Sequence, residues 1–262
     1  MVRVEVKSYN ETVKAQRELL AQRVIDLFGF HLSQTRLLIF LDDCDPPNLK
    51  RKYGPANRGF YAPIHGMLPS DSATLDELPD YVIACVFPDE GVSQPPVPRG
   101  VDDFVYLYGT TCANEIGLTM TMAHELQHAL QHANEPTLWA VNTLVTNLSR
   151  TTLEALEFQW RDIPIELDAR IVSKRVAITL FGERAVDRYL VEKIAEPVND
   201  TDARDCTVVR GLSVLASVNL LLETRKMCSR LRPYWAELEG ILQEAKLTRE
   251  SIYQGIRLED YL

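Results

Sequence analysis

The stretch Thr121–Asn134 reads TMAHELQHALQHAN. It places three of the chain's five histidines at positions 124, 128 and 132, with Glu125 directly after the first. Residues four apart share a face of an α-helix, so the segment is predicted to be a helix with its imidazoles on one stripe. Leu118, Met122, Ala123, Leu126 and Leu130 around them suit a buried helix. Histidines buried without a partner would cost desolvation, so whatever this helix packs against must supply something for them to bind.

His124-Glu125-Leu126-Gln127-His128 matches the pattern HExxH. Two imidazoles one turn apart can reach a single ion, and the adjacent Glu125 can take a proton from water held there. Zinc suits such nitrogen and oxygen ligands. His132 lies about 12 Å along a straight helix from His124, too far to join the same ion on an unbroken helix. It is expected to be a polar residue one turn past the site.

A third ligand must then come from elsewhere. The segment RDIPIELDARIVSKRVAITLFG (161–182) reads as a helix that Asp162 can cap, with Pro164 in its first turn. Glu166 falls near its start and is the expected ligand, beside the alternatives of complementing the helix dipole or pairing with Arg170. Asp168, on a different face, is expected to orient a histidine from behind. Glu154 and Glu157, in TTLEALEFQW, are the rival ligands.

Along the rest of the chain, 11–28 is predicted helical and stopped by Gly29. Strands are expected at 36–43, 59–64, 81–87 and 103–111. From Gly117 onward the pattern is helical: near 116–134, 137–148, 151–160, 163–181, 183–195, 205–231, 233–245 and from about 249. Strands mixed with helix followed by helix alone give an α+β fold. The expected domains are 1–195, carrying the site, and a helical extension, 196–262. The apolar stretch 208–222 is expected to be core of the helical part or else a dimer face.

Composition narrows the partners. The net charge is −9, and an acidic chain repels phosphate backbones, so broad nucleic-acid binding is not expected. The five cysteines are scattered and lack CxxC spacing, the N-terminus shows no apolar leader, and GLSVLASVNLLLE (211–223) is too short to span a bilayer. A cytoplasmic protein is expected. LDDCDPPN (41–48) reads as a turn, and His31 and His65 read as surface residues.

HExxH with a downstream ExDA segment resembles the zincin metallopeptidases of the gluzincin type. HELQHALQH, followed by Glu166-Leu167-Asp168-Ala169, further resembles the ImmA/IrrE family over residues 116–175. The resemblance implies a small twisted mixed sheet whose edge strand runs beside the active-site helix, with 103–111 as that edge. It implies two histidines and a glutamate on zinc, Glu125 as general base, and a peptide or protein substrate added to the edge strand. Tyr189, His132 and Tyr106 are the candidates for stabilising the oxyanion.

Overall fold

The structure, a computed structural model, describes residues 2–42, 59–63, 69–70, 97–108, 114–146, 153, 156–159, 162–197, 200–236, 238–240, 243, 256 and 261. The chain is α+β. A four-stranded mixed sheet is built from β1 (Val2–Lys7), β2 (Leu37–Asp42), β3 (Gly59–Pro63) and β6 (Asp103–Tyr108), in the order β1-β2-β6-β3. A two-residue ladder joins β4 (Pro69–Ser70) to β5 (Val97–Pro98). β1, β2 and β6 run parallel, and β3 closes the sheet antiparallel to β6, with Tyr61 opposite Val105.

Every residue of β2 and β6 is buried, as expected of inner strands apolar on both faces. Here the structure corrects one expectation. Residues 103–108 are not the edge, because β6 is hydrogen-bonded to β2 on one side and β3 on the other; the end strand beside the site is β3.

Helix α1 (Glu11–Phe28) begins where the Asn10 side chain accepts from the Thr12 and Val13 amides. It ends at Gly29, whose φ of 57° is costly for any residue with a Cβ. Helix α2 (Glu115–Asn134) is capped in the same way by Asn114. Together α1 and α2 cover one sheet face: Leu20 and Val24 of α1 and Met122 and Leu126 of α2 join Ile39, Val105 and Leu107 in one core. Burying each such side chain contributes roughly 1.5–3 kcal/mol. A second core forms beneath α3 (Pro136–Thr146) and α7 (Leu220–Leu231), and a third where α5 (Glu183–Ala195) and α6 (Asp200–Gly211) meet α4 (Pro164–Phe181).

Pro164 occupies the first turn of α4 as expected, but Asp162 does not cap the helix; its carboxylate accepts from the Gln159 amide at 3.0 Å. The helix expected over 151–160 does not persist, since Leu156 and Glu157 form a turn with Glu157 at a φ of 55°. The helix expected over 205–231 is two helices with 212–219 non-helical between them. The cause lies on α4. Lys174 Nζ takes the carbonyls of Arg210 and Leu212, and the Arg175 guanidinium takes those of Val214 and Ala216, oxygens a continuous helix would use itself. Asn219 then caps α7 by accepting from the Leu222 amide. The intervening stretch is not core, for Leu215 is 92% exposed. The strand expected at 81–87 lies outside the described residues, as does His65, and of the helix expected from 249 only Ile256, which is not helical, and Tyr261 are described. No described helix is long and apolar enough to cross a membrane.

Candidate metal centre

Helices α2 and α4 pack against each other, and their contact brings three side chains together. His124 Nε2 and His128 Nε2 lie 3.0 Å apart, with rings nearly perpendicular at 87°. The Glu166 carboxylate straddles them, with Oε2 3.3 Å from His124 Nε2 and Oε1 3.3 Å from His128 Nε2. One donor atom from each residue falls within 4.8 Å of the others, so the group can hold a metal ion. Glu166 and His128 are buried, whereas the His124 side chain keeps 19% of its exposure, so solvent reaches the group from the His124 side.

The electrostatics follow from burial and proximity. Burial lowers the pKa of His128, but the charge of Glu166 and its hydrogen bond overcome this and raise it to about 9. Burial raises that of Glu166, but His128 and His124 more than reverse the effect and hold the carboxyl well below its ordinary range. The cluster is thus a compact arrangement of donors kept in place by mutual charge. Glu125 is buried beside it; burial pushes its carboxyl up, and the two histidines only partly oppose this. The main chain of Tyr61 on β3 opposes the rise as well, less than the histidines do.

Behind the histidines the structure refines the expected role of Asp168. Its Oδ2 accepts from the Gln127 carboxamide at 2.7 Å and from that of Gln131 at 2.8 Å, not from an imidazole. Gln131 Oε1 in turn lies 2.8 Å from His128 Nδ1. Asp168 therefore acts on His128 through Gln131. Gln131 was not singled out from sequence, although its place three residues after His128 put it on the correct face. Tyr61 carried no sequence signal at all.

The other expected residues lie elsewhere. Glu157 is exposed at its turn, where its carbonyl accepts from Arg230, and Glu154 lies outside the described residues. Arg170 faces Asp205 at 3.8 Å, whereas Glu166 faces the histidines. Of the three oxyanion candidates, Tyr106 is fully buried in the sheet and donates to Asp42 at 2.7 Å. Tyr189 packs among Ala177, Val186 and Leu190 against Gly117, two turns before His124; a Cβ at Gly117 would stand 2.6 Å from its hydroxyl. His132 is engaged by Tyr61, whose hydroxyl lies 2.7 Å from His132 Nδ1. Compared with known proteins, the chain matches no family model, no curated protein and no solved structure.

Proposed function

We propose that the chain is a zinc-dependent metallopeptidase, with His124, His128 and Glu166 as the ligands and Glu125 as the general base. One observation carries the reading: two imidazoles from one helix and a carboxylate from another converge at separations of 3.0 and 3.3 Å, with a second buried carboxylate beside them. Donors about 2.0–2.2 Å from a tetrahedral zinc stand about 3.4 Å apart, so this set fits that ion with little adjustment. When bound, zinc supplies a Lewis acid that polarises a carbonyl and lowers the pKa of its water to about 7.

The chain's own groups do the rest. Glu125 accepts a proton from the attacking water and returns it to the leaving amine. Gln131 and Asp168 keep His128 turned toward the ligand group. β3, the end strand beside α2, offers main-chain groups to which an extended peptide substrate can add. An active-site helix beneath a mixed sheet with an antiparallel end strand supports the resemblance to zincins.

The test is metal analysis combined with peptide hydrolysis. The purified chain takes up about one zinc. Glu125→Gln keeps the metal and loses turnover by at least about a hundredfold. A chain that takes up no zinc, or a Glu125→Gln variant with undiminished hydrolysis, removes the proposal.

A further inference from the structure

The third histidine of the stripe takes part in a second constellation. Tyr61 of β3 donates its hydroxyl hydrogen to Asp103 Oδ1 at 3.1 Å, and the Tyr61 hydroxyl oxygen lies 2.7 Å from His132 Nδ1. A phenol has one hydrogen, so with Asp103 as its acceptor, His132 Nδ1–H must be the donor to the Tyr61 oxygen. The chain of bonds thus runs from α2 through β3 to the start of β6. Trp139 of α3 closes it, edge-on to Tyr61 at 5.9 Å between ring centroids and 4.7 Å from the His132 ring. The main chain of the same Tyr61 also acts on the buried Glu125 carboxylate, favouring its charged form.

β3 meets α2 at two places. At one end Gly59 lies so close that a Cβ would come within 3.1 Å of Thr121 Cγ2 and 2.3 Å of Leu107 Cδ2. At the other, the Tyr61 side chain reaches His132, and Glu125 lies between these contacts on the helix. End strands have one free side and drift more easily than inner ones. A side-chain anchor at Tyr61 fixes how the main chain of β3 runs past that part of the helix.

We infer that Tyr61, His132 and Asp103 form a positioning unit that locks β3 to α2 and so holds Glu125 in register with the histidine–glutamate group. The catalytic part of this inference rests on the peptidase reading; the structural part does not. His132 is then neither ligand nor bystander, but a positioning residue acting through Tyr61.

The experiment uses the full chain and the variants Tyr61→Phe and His132→Phe, which keep ring packing and remove the bonds. Amide hydrogen exchange is read at residue 61 and in β2 by NMR on the ion-free protein, together with Tm. Zinc affinity, kcat and KM are then measured on a peptide substrate. Exchange at residue 61 should rise about tenfold or more in both variants, while β2 amides and Tm hold. Metal affinity and KM should stay constant while kcat falls between about tenfold and a hundredfold. Unchanged exchange at residue 61, or faster exchange across β2 with a lower Tm, overturns the inference. Faster exchange with undiminished kcat overturns its catalytic part. A wild-type chain that hydrolyses nothing brings down the peptidase reading instead, and the exchange data then decide alone whether the unit locks β3 to α2.

Discussion

Gln131 Oε1 lies 2.8 Å from His128 Nδ1, and the nitrogen of the same carboxamide is committed to Ile165 O at 3.0 Å and Asp168 Oδ2 at 2.8 Å. With both of its N–H groups in use, the carboxamide can only accept from the ring, which places hydrogen on Nδ1 and turns Nε2 toward Glu166. Gln131→Leu should therefore lower metal affinity between about ten- and a hundredfold in a competition titration against a chromophoric chelator. Equal affinity would reduce Gln131 to a packing residue.

Glu166 faces both imidazoles, each at 3.3 Å, whereas Glu157 is exposed at a turn. Glu166→Ala should therefore lose metal on gel filtration and Glu157→Ala should retain it. The reverse outcome, read by metal analysis of the eluted protein, would reassign the third ligand.

Close approach at Gly59 has a stability consequence. A Cβ there would lie 2.3 Å from Leu107 Cδ2, in the core, and 3.2 Å from the Tyr106 carbonyl. Gly59→Ala should cost about 1–3 kcal/mol in denaturant unfolding, because the end strand must move off α2 or Leu107 must leave its rotamer. A neutral substitution would mean that β3 has room to spare.

Asp103 carries the pH dependence. Burial raises its carboxyl from 3.8 to about 6, with the Tyr61 hydroxyl opposing and the Asp102 charge adding. A raised acid stabilises the fold while protonated, so its contribution is complete below about pH 4 and lost as pH climbs through about 6. Asp103→Asn is neutral throughout. Its stability relative to wild type should grow between about pH 4 and 7, by up to roughly 3 kcal/mol in urea titrations. A difference between the two proteins that ignores pH would mean the buried carboxyl titrates as in water.

Leu215, at 92% exposure, buries nothing. Leu215→Ser should leave stability within about 0.5 kcal/mol. A loss of several times that, in the same unfolding experiment, would place this leucine in an interface between copies of the chain.

The metal group was readable because its rules are local. Two histidines one turn apart define a face, and Pro164 marks a helix start that puts Glu166 in its first turn. The two inner strands were visible as apolar runs, but which strand would stand at the end of the sheet was not. A run such as DFVYLY specifies burial, not neighbours, and order is decided by how distant segments pair. The break at 212–219 was hidden for a related reason, because Lys174 and Arg175 reach it from more than thirty residues away. Gln131 was within reach of the helical-face rule, whereas the Tyr61 hydroxyl meets Asp103 and His132 only across 42 and 71 residues of chain, which no local rule encodes.

The parallel pairing of β2 with β6 joins Leu37 to Asp103 across a long stretch of chain. Closing so large a loop costs entropy before any ladder bond repays it, so this contact forms only as the whole molecule does. The two histidines of α2, by contrast, can stand side by side in an isolated helix. Glu166 reaches them only by tertiary assembly, so an isolated helix offers an ion a pair of rings, and the native chain alone offers the complete cage.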